Sequence, residues 1–117
     1  MTTLNLTQHP ANDAQTAEGV VEPADKQAVK ALLTFHELPE RSEVVARATQ
    51  LAKLAAESGH KRAMVGGAPF LMAPLHAALE AVGVEPVYAF SRRESVEETA
   101  EDGTVTKRSV FRHLGFV

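Results

Sequence analysis

The stretch AMVGGAPFLMAPLHAAL, Ala63 to Leu79, passes from a short apolar run through two glycines and a proline into an apolar repeat. The run RAMV is too short for a helix and is typical of a buried strand. Leu71 to Val82 has helical spacing and is followed by Gly83, which favours a helix end there. Pro74 fits this helix if it lies in the first turn, where a missing N–H is tolerated. The stretch therefore predicts a strand, a glycine loop and a helix.

The glycine loop has two interpretations. Gly66 and Gly67 lack side chains, so a phosphate can approach the backbone N–H groups, and the start of the next helix adds its positive dipole end. Alternatively, the two glycines only allow a tight turn beneath a packed helix. The glycine pair alone does not decide between a nucleotide-like ligand and a purely structural turn.

The elements on either side are predicted from periodicity and capping residues. The predicted elements are a strand over Leu4 to Thr7, a short helix in ANDAQTAEG with Asn12 as cap and Gly19 as stop, a helix over Pro23 to Leu33, a helix over Arg41 to Ser58 with Ser42 as cap and Gly59 beyond it, and two β-rich runs, EPVYAFSRRESVEE and TVTKRSVFRHLGF. Asp102-Gly103 lies between the two β-rich runs and predicts a hairpin turn. We expect one α/β domain spanning residues 1–117, a small Rossmann-like three-layer sandwich with a mainly parallel sheet and a C-terminal antiparallel hairpin.

Composition restricts the classes of partner. The net charge of −3 gives no general attraction to duplex DNA or to an anionic membrane, so we expect neither as a partner. The chain has no cysteine, no apolar run of about 20 residues and no signal-peptide pattern at its start. We expect a cytoplasmic protein.

Three segments should converge beyond the carboxyl ends of the parallel strands, where ligands gather in such sheets. The segments are TQHP, GGAP and SRRES, and the candidate site residues within them are Thr7, Gln8, His9, Gly66, Gly67, Ala68, Ser91, Arg92, Arg93 and Ser95. This set suits an anionic ligand, which an acidic protein must hold by a local site.

His9, Arg92 and Arg93 are the candidate catalytic residues. A histidine can move a proton near neutral pH, although His9 could equally hydrogen-bond the loop backbone. Arginine can clamp a phosphate with paired donors, but only one of two adjacent strand residues faces a site. The alternative role of either arginine is an ion pair with a nearby glutamate such as Glu94.

Other chemistries have little support. The remaining histidines are scattered without metal-ligand spacing, so we expect no metal. The segment GGAPF lacks the lysine and serine of a phosphate-binding P-loop, the dinucleotide fingerprint and the GxSxG elbow are absent, and we expect no cofactor.

The opening LNLTQHPANDAQ resembles the start of small CRISPR-associated proteins, and PVYAFSRRESVEETAEDGTVTKRSVFRHLGF resembles their closing hairpin. These proteins are similar to the CARF superfamily of Rossmann-like domains, which is associated with ring nucleases of type III CRISPR systems. The resemblance implies a cyclic oligoadenylate ligand, with tetra-adenylate as the expected ring, and a homodimer that shares it. The sequence departs from those relatives at Gln8, which stands where a serine more often precedes the histidine.

The resemblance and the residues together favour a metal-independent ring nuclease, in which each ribose 2′-OH attacks its neighbouring phosphate in line. Two alternatives remain open. One is a sensor or sponge that binds a cyclic nucleotide without cleaving it. The other is a small interaction protein that pairs with a partner through its helix faces or its C-terminal LGFV segment.

Overall fold

Ten helices and strands follow one another in the computed structural model, which describes all 117 residues. In chain order they are β1 (Thr3–Leu6), α1 (Asp13–Ala17), β2 (Val20–Val21), α2 (Lys26–Leu33), α3 (Arg41–Ser58), β3 (Arg62–Val65), α4 (Pro69–Ala81), β4 (Glu85–Val87), β5 (Ala89–Thr99) and β6 (Val105–Phe116). The first four strands form a parallel sheet in the order β2-β1-β3-β4, and β5 and β6 form a separate antiparallel hairpin. The predicted α/β class, with a mainly parallel Rossmann-like sheet and a C-terminal hairpin, is confirmed.

One face of the sheet carries the main core. Alternate strand residues point to opposite faces, so Leu4 and Leu6 of β1 and Ala63 and Val65 of β3 all point toward α2, α3 and α4. The helices contribute fully buried leucines, namely Leu33, Leu51, Leu71, Leu75 and Leu79. This apolar layer fixes β1 and β3 side by side and so positions the loops that follow them.

The other face is covered more thinly. Val20, Met64 and Val87 form a small buried cluster there, against which Ala11 and Phe116 pack. The third layer therefore consists of the segment around α1 and the end of β6. Asn5 also lies on this face and is fully buried, which makes it the one buried amide side chain in the chain.

Helix ends follow the predicted capping residues with three exceptions, all at helix starts. α1 begins after Asn12 with a capping box to Gln15, and α3 ends at Gly59, whose φ is 82°. α2 begins at Lys26 and not near Pro23, because the Asp25 carboxylate accepts the Ala28 N–H at 3.1 Å and sets the first turn there.

The prediction that Ser42 caps α3 is wrong. The residue before α3 is Glu40, whose side chain makes no cap hydrogen bond, and Ser42 lies inside the first turn. The position expected for Pro74 is also wrong. α4 begins at Pro69, two residues earlier than the apolar repeat indicated, so Pro74 lies in the second turn and leaves the carbonyl of Phe70 without a helical N–H donor.

The hairpin extends away from the sheet. Tyr88 and Val117 join its base through two backbone hydrogen bonds, with N···O distances of 2.9 and 2.8 Å. Beyond that base most residues of β5 and β6 are exposed, and the molecule reaches 57 Å along its longest axis. At the tip Asp102 accepts the Thr104 N–H at 2.9 Å, and Gly103 has a φ of 86°. The turn is therefore where Asp102-Gly103 predicted it.

None of the four helices combines the length and the apolar content that crossing a membrane requires.

Candidate functional site

A cleft of about 820 Å³ opens at the carboxyl edge of the parallel sheet. It is bounded by the loop after β1, the glycine loop between β3 and α4, and Tyr88 and Ala89 after β4. Residues at the end of α2 close another side. This is the edge where parallel sheets of this kind bind ligands.

Six of the predicted site residues line this cleft together, namely Thr7, Gln8, His9, Gly66, Gly67 and Ala68. They meet because β1 and β3 are adjacent and parallel, with Leu6 paired with Val65 at their last residues. His9 is exposed at the cleft, whereas Gln8 is held by its side-chain amide, which donates to the Thr34 hydroxyl at 3.1 Å.

The other four predicted residues, Ser91, Arg92, Arg93 and Ser95, do not line the cleft. The expected convergence of SRRES with the glycine loop is therefore wrong. The physical reason is that β4 ends at Val87 and the chain leaves the sheet edge as the hairpin strand β5. Arg92 donates to Glu94 at 2.8 Å, which is its alternative role, and the guanidinium of Arg93 lies 5.2 Å from the ring centroid of Phe111.

The positive end of the cleft is made of backbone. No lysine or arginine lines it. Ala68 precedes α4 and makes no side-chain cap bond. In the first turn of this 13-residue helix Pro69 has no N–H, and the Leu71 N–H donates to the Ala68 carbonyl at 3.0 Å. The Phe70 N–H is left without a protein acceptor, and the Met72 N–H makes no hydrogen bond to the Ala68 carbonyl. Such N–H groups and the helix dipole favour an anion at this position.

The two glycines play different parts. Gly67 has a φ of 146°, a conformation that residues with a side chain rarely adopt. The backbone conformation of the loop therefore requires glycine at this position. A Cβ added at Gly66 would meet only the Thr7 methyl, at 3.5 Å, which is ordinary contact. The fold therefore tolerates a side chain at Gly66, and the bare backbone there leaves room for a ligand.

Asn5 supports the loop that carries His9. Its side-chain Nδ2 donates to the His9 carbonyl at 2.8 Å, and its Oδ1 accepts from the Thr7 N–H at 2.9 Å and from the Thr7 hydroxyl at 2.6 Å. Sequence reasoning missed Asn5, although an asparagine between two buried leucines in LNL was a usable signal. A buried amide with these bonds holds the loop in one conformation.

The whole chain, residues 1–117, matches the family described as "Uncharacterized protein MJ1673 family". The chain belongs to the MJ1673 family. No curated protein and no solved structure matches it. The family description states no ligand or reaction, so it is the residues of this MJ1673-family cleft that indicate its chemistry.

A charged pair also braces this loop in the MJ1673-family chain. Glu22 accepts the Ala11 N–H at 2.9 Å and pairs with Lys26 at 3.0 Å, and Lys26 Nζ donates to the Thr7 carbonyl at 2.7 Å. Partial burial raises the pKa of the Glu22 carboxyl, but the hydrogen bonds from Ala11, Asn5 and Lys26 outweigh it, so the pKa lies below its usual value. Lys26 is thus committed to the loop and is not a free cation.

Aromatic side chains form the apolar wall of the MJ1673-family cleft. Phe35, Phe70 and Tyr88 all line it. Phe35 and Phe70 contact edge to face with ring centroids 4.9 Å apart, and the Arg47 guanidinium lies 4.2 Å from the Phe35 centroid. Stacking on aromatic side chains is a common way to hold a nucleobase. The cleft therefore offers both a phosphate end and a base-binding wall.

Proposed function

We propose that the protein is a metal-independent ring nuclease, which binds a cyclic oligoadenylate in this cleft and opens it by in-line attack of a ribose 2′-OH. The observation that carries the proposal is that one cleft of about 820 Å³ combines His9, the unblocked start of α4 and an aromatic wall. Each matches one part of an adenylate, namely the reacting proton, the phosphate and the base.

The phosphate end is assigned to backbone groups. The loop at Gly66 and Gly67 lets a phosphate approach the backbone, and the first turn of α4 supplies N–H donors and a positive dipole. The nucleobases are assigned to Tyr88 and to the half-exposed ring of Phe70, because the Arg47 guanidinium already lies over Phe35. Binding of this kind relies on preorganised donors, because no lysine or arginine side chain faces the ligand within one chain.

The reaction needs two proton transfers. The 2′-oxygen forms a bond to phosphorus while the bond from phosphorus to the 5′-oxygen breaks. A base takes the proton of the 2′-OH, and an acid gives one to the departing 5′-oxygen. His9 is exposed at the cleft and performs one of these transfers. The products are linear adenylates with 2′,3′-cyclic phosphate ends.

The symmetry of the ring also predicts the oligomeric state of the protein. A cyclic tetra-adenylate has two-fold symmetry, which suits a homodimer that presents two identical clefts. Such a cytoplasmic dimer would switch off type III CRISPR signalling by destroying the messenger.

A second candidate function is a sensor or sponge that binds the ring without cleaving it. The observation that favours it is the absence of lysine and arginine from the cleft wall, since a cationic side chain commonly stabilises the charge that develops on a reacting phosphate. A third candidate is an interaction protein. It is favoured by the hairpin, because an isolated two-stranded hairpin is marginal in water and this one exposes Phe90 and Phe111.

A matched pair of histidine variants tests the proposal. His9→Ala should lower turnover of the ring by about 10²–10⁴-fold with little change in binding. His60→Ala is the control, because His60 lies before β3 at the opposite edge of the sheet and contacts Thr2. Equal rates for His9→Ala and the parent protein would remove His9 from the reaction.

A further inference from the structure

Tyr88, His76 and Glu80 form a hydrogen-bonded chain next to the cleft. The Tyr88 hydroxyl lies 3.1 Å from His76 Nδ1, and His76 Nε2 lies 3.2 Å from a carboxylate oxygen of Glu80. The two rings stack at a 16° interplanar angle with centroids 6.0 Å apart. A phenol, an imidazole and a carboxylate thus follow one another within hydrogen-bond reach.

The fold holds the three groups in this order. His76 and Glu80 lie one turn apart on α4, so their side chains share one face of the helix. Tyr88 follows β4, the strand that α4 leads into, and it packs against the main core while lining the cleft. Tyr88 therefore belongs both to the cleft wall and to the series of hydrogen bonds.

The carboxylate fixes the direction of the hydrogen bonds. Glu80 accepts only, so in the tautomer of His76 that donates its Nε2–H to Glu80, Nδ1 is an acceptor. The Tyr88 hydroxyl then donates to Nδ1, and its oxygen lone pairs remain free to accept. This is the arrangement of a hydroxyl activated by a base that a third group orients.

We propose that Tyr88, backed by His76 and Glu80, is the general base that accepts the proton of the attacking substrate hydroxyl. As the substrate 2′-OH gives its proton to the Tyr88 oxygen, the Tyr88 proton passes to His76 Nδ1, and Glu80 stabilises the resulting imidazolium. His9 then acts as the acid that protonates the departing 5′-oxygen. Solvent afterwards removes one proton from His76 and returns one to His9.

This inference rests on the proposed ring-opening activity and assigns its second proton-transfer group. It makes Tyr88 a catalytic residue, whereas His76 and Glu80 act through it. No sequence pattern indicated these hydrogen bonds, because His76 and Tyr88 are 12 positions apart and belong to different elements.

Kinetics of single and double variants test the base role. Tyr88→Phe keeps the ring and removes only the hydroxyl, so it should lower kcat by about 10²–10⁴-fold while KM changes by less than about threefold. His76→Ala should give a similar loss, and the double variant should fall no more than about threefold further, since the two residues act as a unit. If the loss of kcat in the double variant equals the product of the two single losses, the proposed proton relay from the substrate through Tyr88 to His76 is overturned.

Chemical rescue separates a relay from a structural contact. The His76 side chain is 41% exposed, so free imidazole can enter the space that His76→Ala leaves. Added imidazole should restore a large part of the turnover of His76→Ala and none of the turnover of Tyr88→Phe. A His76→Ala protein that imidazole does not rescue, with unchanged thermal stability, would contradict the proposal.

The outcomes distinguish the relay from the activity it serves. If the parent protein opens the ring and Tyr88→Phe does so within about threefold, the relay is wrong and the ring nuclease stands. If the parent protein opens no ring although the ligand binds, the activity is wrong and the base role falls with it. Binding itself can be followed by intrinsic fluorescence, because Tyr88 is the single tyrosine and the chain has no tryptophan.

Discussion

The side-chain Nδ2 of Asn5 donates to the backbone carbonyl of His9 at 2.8 Å, so a fully buried strand residue fixes an exposed histidine four positions away. The same amide accepts two hydrogen bonds from Thr7. Asn5 thereby closes the turn after β1 and orients the loop over the cleft. The position of His9 is thus a property of the core and not of the loop alone.

Asn5→Ala should destabilise the protein by about 1–3 kcal/mol, because it removes the acceptor of the Thr7 N–H and the 2.8 Å donor to the His9 carbonyl. Urea unfolding measures this loss. Thr49→Ala on the surface of α3 is the control and should stay within about 0.5 kcal/mol of the parent protein. An Asn5→Ala protein as stable as that control would mean that the turn after β1 keeps its conformation without the Asn5 side chain.

Glu22 predicts a pH dependence of stability. Its pKa is lowered in the folded state, so its contribution is complete above the ordinary value of 4.5 and is lost as the pH falls through the lower folded-state pKa. Glu22→Gln cannot titrate, and its free energy of unfolding should therefore fall less steeply on acidification below about pH 4.5. Parallel curves for the two proteins would show that Glu22 is not coupled to folding.

The two glycines of the loop should respond differently to alanine. Gly67→Ala places a side chain at a φ of 146°, which should cost about 1–3 kcal/mol of stability. Gly66→Ala meets only ordinary contact with Thr7 and should keep the stability of the parent protein. Its methyl group should nevertheless weaken ligand binding if the ligand lies against this backbone. Thermal unfolding and binding of the ring, measured on both variants, check the two expectations.

The arginines of the hairpin provide a test of where the ligand lies. Arg92 and Arg93 are outside the cleft, so Arg92→Ala and Arg93→Ala should each leave ring affinity within about twofold of the parent protein. Isothermal titration measures this. A large loss at Arg93, which pairs with no carboxylate, would instead indicate that the hairpin of a second copy brings this residue to the ligand.

Local patterns predicted the parallel sheet and most of its helices for identifiable reasons. Asn12 and Gln15 make a capping box that starts α1, and Gly59 ends α3. β2 was not predicted because it has only two residues, and its backbone pairing with β1 is what makes it a strand. Where the local pattern and the tertiary packing favour the same structure, the sequence alone predicts the element.

The site was predictable only in part because its supports are distant in sequence. Adjacent parallel strands bring the His9 loop and the glycine loop together, and this follows from topology. The contact of Glu22 with Asn5 and the contact of His76 with Tyr88 depend on how elements pack, which no local pattern encodes. The direction of the hairpin is a further example, since β5 has the same strand pattern whether or not it extends the sheet.

Incubation of the purified protein with cyclic tri-, tetra- and hexa-adenylate in EDTA, followed by chromatography with mass detection, tests the central claim most directly. We expect one ring, the tetra-adenylate, to be converted to linear products that carry 2′,3′-cyclic phosphate ends. Intact rings, with none retained on the protein, would contradict the assignment of the cleft to a cyclic oligoadenylate.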